Sequence, residues 1–257
     1  MDLNLKNQLF IVCGATSGFG LGITKQLVSE KANVIAVARG KEKLDKLASE
    51  FPGNIEVFEG DITRSPTIDN LIKQVGNRRI HGILINAGGP PAMSFNETSL
   101  EDWDNAYHQL LRWKVEITKS FLKGMIEQGY GRIIYIESAA VKHYMENLVL
   151  STSMRLSVVG FVKTLSQELP DKGITFNILA PGYHDTPALD RLIRKKAETA
   201  NITYEQAKQN ILSNIPLRKT GNIGDFASLA VWLLSPLSGY MNGQVLSIDG
   251  GIIKSIL

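Results

Sequence analysis

An apolar run meets a cluster of glycines in the stretch LFIVCGATSGFG, residues 9–20. The run Leu9–Cys13 predicts a buried β-strand, and apolar residues at helical spacing after Gly20 predict a helix. Glycines between a strand and a helix let the backbone turn tightly, while free N–H groups at the helix N-terminus favour a phosphate. The stretch therefore predicts a nucleotide-binding junction. The alternative is a turn that uses glycine for its conformation alone.

Strand and helix patterns alternate through the rest of the chain. Short apolar runs predict six more strands, at Val34–Ala38, Ile55–Phe58, Gly82–Asn86, Arg132–Glu137, Thr175–Leu179 and Gln244–Ile248. Apolar strands separated by helices are typical of a parallel sheet that is covered on both faces. We predict an α/β fold of the Rossmann type, doubly wound around a seven-stranded parallel sheet, as a single domain over residues 1–257.

One long interval, about residues 187–221, has no strand pattern. It predicts two helices, Ala188–Thr199 and Tyr204–Ser213, inserted before the last crossover. Such an insertion lies near the carboxyl ends of the strands, where ligands bind in open α/β sheets. We interpret it as a short helical lid over the site, and the alternative is a surface helical hairpin.

Composition and charge narrow the function classes. The 257 residues are 44% hydrophobic and 21% charged, with a net charge of +3 and one cysteine, Cys13. The densest basic cluster, Arg191 with residues 194–196, has helical spacing and predicts a solvated helix face. One cysteine excludes an intrachain disulfide and suits a reducing compartment. We expect a cytoplasmic protein that uses no nucleic acid, membrane or metal.

The end of the second predicted strand indicates which dinucleotide is bound. The residues there are Ala38-Arg39-Gly40-Lys41, with no carboxylate. An NAD site normally places a carboxylate at this point to bind the ribose 2′-hydroxyl, whereas a guanidinium suits a 2′-phosphate. We therefore predict NADP(H) rather than NAD(H), with Arg39 as the phosphate ligand. A solvated Arg39 is the alternative, and it leaves the missing carboxylate unexplained.

Several motifs follow one another in the order of a known family. They are Gly14–Gly20, Asp61-Ile62, Asn86-Ala87-Gly88, Gly131–Ile134, Pro181-Gly182 with Thr186, and residues 243–251. Over nearly the whole chain they resemble the short-chain dehydrogenase/reductase family. The resemblance implies a small-molecule substrate and a homodimer or homotetramer. It also implies cofactor binding by Gly14, Thr16, Ser17, Gly18, Phe19, Gly20, Asp61, Ile62, Asn86, Ala87, Gly88, Pro181, Gly182 and Thr186.

The chain departs from this family at the positions that carry catalysis. The family uses a serine, a tyrosine, a lysine four residues later, and an asparagine. The resemblance places Ser138 at the serine, Ser151 at the tyrosine, Arg155 at the lysine and Leu110 at the asparagine. A serine hydroxyl is a far weaker acid than a phenol, and arginine keeps its proton. The usual proton relay is therefore broken, although Arg155 retains donors for the cofactor ribose.

Other side chains near Ser138 offer a replacement for the missing acid. His143 and Tyr144 follow it, and Tyr183-His184 form a second candidate pair beside Pro181-Gly182. The alternative is that these aromatic residues line a pocket or an interface.

Two functions follow from these patterns. The first is an NADP(H)-dependent oxidoreductase that acts on a carbonyl, alcohol or activated C=C or C=N substrate by a non-standard proton route. The second is a catalytically silent nucleotide-binding protein that serves as a sensor, scaffold or subunit partner. Ser138 and the lid favour the enzyme, whereas Leu110, Ser151 and Arg155 favour the catalytically silent protein.

Overall fold

The computed structural model describes residues 1–169 and 171–256; the other two positions of the predicted 1–257 domain lie outside the described residues. Every predicted strand is present, and the bounds are β1 (Leu9–Cys13), β2 (Asn33–Ala38), β3 (Ile55–Glu59), β4 (Gly82–Ile85), β5 (Gly131–Ile136), β6 (Ile174–Pro181) and β7 (Val245–Ile248). They form one sheet in the order β3-β2-β1-β4-β5-β6-β7. All neighbouring pairs are parallel. The predicted doubly wound, seven-stranded Rossmann-type sheet is confirmed.

Helices cover both faces of the sheet. They are α1 (Gly18–Ser29), α2 (Lys41–Glu50), α3 (Ser65–Val75), α4 (Leu100–Tyr107), α5 (Trp113–Gln128), α6 (Val149–Glu168), α7 (Pro187–Ala200), α8 (Tyr204–Ser213) and α9 (Ile223–Leu234). A π-helical segment, His108–Arg112, joins α4 to α5. In the described ranges, no helix has both the length and the apolar character that crossing a bilayer requires.

The core explains why the strands are apolar along their whole length. In β1, Phe10 and Val12 belong to the cluster under α1 and α9. Ile11 and Cys13 point the other way, into the cluster under α3, α5 and α6. Because both faces of the strand are buried, an alternating polar pattern would place polar side chains in one core.

The strand order positions the site. The chain leaves β1 towards β2 on one side and reaches β4 on the other, so the crevice at the carboxyl end of β1 opens between the two halves. Ligands of open α/β sheets bind at such a switch point. Glycines 14, 18 and 20 lie at this point because α1 starts directly after β1.

The two helices predicted for residues 187–221 are α7 and α8, which begin and end within one residue of the predicted bounds. They pack on each other around Leu189, Ile193 and Ile211. A short bridge between His184 and Gly221 closes the base of the insertion. The insertion is therefore a small packed unit on one edge of the crevice, and its action as a lid stays a prediction.

Candidate functional site

A cleft of about 1010 Å³ opens at the carboxyl ends of the strands. Most of the predicted cofactor residues line it, namely Gly14, Thr16, Ser17, Gly18, Phe19, Arg39, Asp61, Ile62, Asn86, Ala87, Gly88, Arg155 and Thr186. We call residues 39–43 and 60–63 its β2 end, and residues 86–89, 136–137 and 155 its β5 end. Gly20, Pro181 and Gly182 are not among the described lining residues, and the Gly182 N–H donates to the carbonyl of Ile248.

The glycine-rich loop has the geometry of a phosphate cradle. Gly14 and Gly18 have φ angles of +70° and +51°, which favour glycine. A Cβ atom on Gly20 would lie 2.1 Å from the carbonyl oxygen of Gly14, so the loop closes only with glycine there. Ser17 precedes α1 without a side-chain capping bond. The N–H groups of the first turn are therefore not capped by Ser17, and they suit the pyrophosphate of a dinucleotide.

The β2 end is rich in exposed cationic side chains. Arg39, Lys41 and Lys43 line it together with Glu42 and Asp61. Asp61 accepts hydrogen bonds from the Thr63 amide at 3.1 Å and hydroxyl at 2.7 Å. Arg39 forms no ion pair within residues 1–169 and 171–256. A free guanidinium at this position fits the 2′-phosphate of NADP(H).

The β5 end contains a buried network of charged side chains. Arg155 Nε donates to Ser151 Oγ at 3.1 Å, one turn earlier on α6. Its Nη1 donates to Glu137 Oε2 at 2.8 Å. Lys114 Nζ of α5 donates to the other carboxylate oxygen, Oε1, at 2.5 Å. The pKa of Lys114 is lowered to about 8, chiefly by burial; Glu137 opposes this shift, and the charge of Arg155 adds to it.

Sequence reasoning missed the part that Glu137 and Lys114 play in this network. It placed Glu137 inside the fifth strand, but β5 ends at Ile136. The Glu137 side chain contacts Lys114 of α5 and Arg155 of α6. It gave Lys114 no role. Two features of the sequence could have indicated it. Glu137 is an acidic residue at the end of an apolar strand, and Lys114 lies beside Trp113 and Ile117, which are spaced as the core-facing residues of a helix.

The π-helical segment shapes the same end of the cleft. Leu110, predicted at the asparagine position, is buried there. Its neighbour Gln109 lines the cleft instead, and the Gln109 carbonyl accepts a 2.8 Å hydrogen bond from the indole N–H of Trp113. Single π-helical turns are frequent at functional sites. Gln109 is thus another lining residue that the sequence did not predict as part of the site.

The remaining predicted catalytic side chains lie outside the cleft lining. Ser138 caps a 3₁₀ turn, Ala139–Val141, and its hydroxyl accepts from the Ala140 amide at 3.2 Å. His143 is half-buried, and Tyr144 is 79% exposed. None of the three lines the described cleft. Their catalytic roles stay predictions.

The second candidate pair lies at the base of the α7–α8 insertion. Tyr183 is half-buried, whereas His184 is only 3% exposed. The His184 ring packs edge-on against Phe19 and Phe226, with ring centroids 5.1 Å and 5.3 Å away, and the two phenylalanine rings also contact each other. Burial lowers the pKa of His184. The side chain therefore links the glycine-rich loop to the insertion.

Comparison with known proteins places this fold and cleft in a family. The model of the family described as enoyl-(acyl carrier protein) reductase matches residues 14–253. The 3-oxoacyl-[acyl-carrier-protein] reductase FabG of Thermotoga maritima is 30% identical, covering 98% of this chain and 100% of that protein. The NADPH-dependent reductase BacG of Bacillus subtilis is 25% identical, covering 95% and 97%.

A solved structure agrees with these relatives. The actinorhodin polyketide ketoreductase with NADPH matches with a TM-score of 0.91 at 28% identity, covering 97% of this chain and 98% of that one. The match extends from the glycine-rich loop to the closing strand, which confirms the resemblance predicted from the motifs. The chain belongs to the short-chain dehydrogenase/reductase family and is an NAD(P)-dependent oxidoreductase.

Proposed function

We propose that the protein is an NADP(H)-dependent oxidoreductase of a carbonyl, alcohol or activated C=C or C=N compound, with proton transfer that does not use a tyrosine–lysine pair. One observation carries the proposal. The glycine-rich loop and Arg39 line the cleft, as a dinucleotide site requires, yet no tyrosine or histidine is among its described lining residues. Ser151 and Arg155 stand where the family resemblance puts the tyrosine and lysine, and Arg155 donates hydrogen bonds to Ser151 and to Glu137.

The cofactor preference has two supports. Arg39 at the end of β2 offers a guanidinium that has no ion-pair partner among the described residues, in place of the carboxylate that an NAD site normally has. The relatives agree with this choice, since BacG is an NADPH-dependent reductase and the ketoreductase structure contains NADPH. NADP(H) is therefore the cofactor, bound by the residues that line the cleft.

NADPH supplies a hydride when it is bound, and the chain's own residues orient the two reactants. Ser138 holds the substrate oxygen, and Arg155 donates to the ribose hydroxyls. The proton comes from His143, Tyr144 or water. Loss of a positioned general acid costs about 10²–10⁴ in rate. A conjugated substrate reduces this cost because its negative charge spreads over several atoms before protonation.

The test is NADPH consumption with a panel of simple ketones, enones, quinones and iminium ions. The wild type is compared with Ser138→Ala and with the double variant His143→Ala/Tyr144→Phe. Ser157→Ala, an exposed serine of α6, is the matched control. We expect turnover on a conjugated substrate and a loss of about 10²-fold or more in one of the two test variants.

Tight NADPH binding without turnover on any member of the panel contradicts the enzymatic proposal. Such a result favours the catalytically silent nucleotide-binding protein. Failure to bind either NADP(H) or NAD(H) contradicts both functions, because each depends on the cradle formed by the glycine-rich loop.

The proposal includes a homodimer or homotetramer that works in the cytoplasm. Its support is a set of large apolar side chains exposed on α4 and α6, namely Leu100, Tyr107 and Leu156. Light scattering after gel filtration tests the assembly, and a mass of about 28.3 kDa, that of one chain, contradicts it.

A further inference from the structure

Two buried cations share one carboxylate at the β5 end of the cleft. We call Lys114, Glu137 and Arg155 the charge cluster. The Glu137 side chain is fully buried, and both of its oxygens are engaged, Oε1 by Lys114 and Oε2 by Arg155. With all three groups ionised, the cluster holds one positive charge in excess. Burying an uncompensated charge is costly, so an excess of this kind favours an anionic partner.

The Arg155 guanidinium has donors left for such a partner. Nε donates to Ser151, and Nη1 donates to Glu137. Nη2 has no acceptor among the residues that the structure describes. A Cβ atom on Gly89 would lie 3.2 Å from Nη2, so the guanidinium reaches the loop after β4, which also lines the cleft. Nη2 therefore offers two N–H groups at the edge of the cleft.

We propose that the charge cluster binds a negatively charged oxygen of the substrate through Arg155 Nη2, with Glu137 and Lys114 as positioning residues. The inference rests on the proposed function, because it places the substrate in the same cleft as the cofactor. The oxygen belongs either to a carboxylate that the substrate carries or to the oxyanion that forms on hydride addition. Both present the same chemistry to a guanidinium.

The oxyanion follows from the reduction of a conjugated enone. Hydride from NADPH forms a C–H bond at the β-carbon, and the π electrons of the C=C bond shift until the carbonyl oxygen carries a negative charge. The cofactor is oxidised and the substrate is reduced by two electrons. A proton from water then adds to the α-carbon, leaving hydroxide. Arg155 stabilises the enolate without giving up its own proton.

The surroundings of the cluster predict how its charge depends on pH. The groups that face it are Lys114 and Thr118 of α5, Tyr135 beside Glu137, and Arg155 of α6. Burial raises the pKa of Tyr135, so its hydroxyl, bonded to Thr118, stays neutral. The pKa of Lys114 is lowered to about 8. The excess positive charge is therefore present below that pH and is lost above it.

The first arm of the test measures binding without turnover. The protein is loaded with NADP⁺, which cannot donate hydride, and is titrated calorimetrically with 4-oxopent-2-enoate or its methyl ester at several pH values between 6.5 and 9.5. If the oxygen is a carboxylate, the acid binds about tenfold more tightly than the ester below pH 8, and the preference shrinks above it. Lys114→Met removes the preference at every pH. Lys119→Met, an exposed lysine of the same helix, keeps it.

The second arm measures turnover of the methyl ester with NADPH. If the oxygen is the enolate, acid and ester bind equally, while kcat falls about tenfold or more in Lys114→Met. The affinity for NADPH, followed by its fluorescence, stays within about twofold, as expected when the lost interaction forms only in the transition state. Glu137→Gln keeps the shape of the side chain but removes its negative charge, so that the charge of Arg155 is uncompensated at every pH. It serves as the second variant should Lys114→Met not fold, because the preference for the acid, or the value of kcat, should then no longer fall above pH 8.

Two results overturn the inference. In one, both test variants match Lys119→Met in binding and in turnover at every pH. In the other, the variants lower the affinity for NADPH by the same factor whichever substrate is present and change nothing else, which assigns Arg155 to the cofactor ribose only. Suppose that the wild type shows no turnover on any substrate, that it binds the acid more tightly than the ester, and that Lys114→Met loses this preference. This result supports the charge cluster and contradicts the proposed function. A wild type with neither turnover nor preference contradicts both.

Discussion

The two ends of the cleft are built in different ways. The glycine-rich loop next to the β2 end depends on backbone conformation. Gly14 and Gly18 have positive φ angles, and at Gly20 a Cβ atom would collide with the backbone of Gly14. The β5 end depends on side chains, since Lys114, Glu137 and Arg155 hold one another in the interior. The backbone device follows the family's glycine motif, whereas our proposal gives the side-chain device the place of the family's tyrosine–lysine pair. The proposal therefore separates cofactor binding from chemistry, and four experiments test that separation.

The largest effect is expected from adding a side chain to Gly20 in the glycine-rich loop. In Gly20→Ala the new Cβ would lie 2.1 Å from the Gly14 carbonyl oxygen, so the loop must shift. We expect NADPH affinity to fall by about 10²-fold or more, since the amides that cradle phosphate move with the loop. Fluorescence titration measures it. Gly160→Ala, where a Cβ meets nothing within 4 Å, is the control. Equal affinities would show that the backbone device does not carry cofactor binding.

The second prediction concerns the pH dependence of stability at the β5 end. The pKa of Lys114 is lowered to about 8 in the folded protein by burial. Between this pH and about 10.4, the unfolded chain keeps a proton that the native state has lost, so the free energy of unfolding rises with pH. Relative to Lys114→Met, the wild type should gain on the order of 3 kcal/mol across this window.

Urea unfolding at pH 7.5 and at pH 10 measures the gain. Lys119→Met, an exposed lysine on the same helix, should show the same rise as the wild type. If Lys114→Met and the wild type change in parallel, Lys114 is not titrating in the window, and the charge cluster keeps its excess charge to high pH.

The third prediction tests the β2 end. Arg39→Asp replaces the unpaired guanidinium with the carboxylate that binds a ribose 2′-hydroxyl. We expect the ratio of NADPH to NADH affinity to fall by about 10²-fold, because a charge-assisted phosphate contact is replaced by repulsion. Lys46→Asp on the outer face of α2 makes the same change of charge and should leave the ratio unaltered. An unchanged ratio in Arg39→Asp would exclude Arg39 as the ligand of the 2′-phosphate.

The smallest effect concerns the insertion. Thr186 caps α7 by accepting from the Leu189 amide at 3.3 Å, and it also lines the cleft. Thr203 caps α8 in the same way at Gln206 but lies away from the cleft. Alanine at either position should cost about 1 kcal/mol of stability. Only Thr186→Ala should weaken NADPH binding, by severalfold. Equal cofactor affinities would argue against α7 as part of the binding site.

The sheet was predictable because its strands are buried on both faces and therefore apolar throughout, as β1 shows. The cradle was predictable because a strand, glycines and a helix follow one another along the chain. The charge cluster was not, since Lys114 and Glu137 are 23 residues apart and meet only when α5 packs on the end of β5. Sequence spacing also gave no sign that the helix containing Leu110 becomes π-helical.

That π-helical segment, His108–Arg112, has a consequence for helical phase. A π-turn accommodates one residue more than an α-turn, so it offsets the faces of α4 and α5 by about 100°, the rotation of one residue. Removing a single residue within the segment would restore a regular helix and turn Gln109 and all of α4 by that angle. The rim of the cleft beside Gln109 thus depends on the number of residues in the π-helical segment as well as on the identity of its side chains.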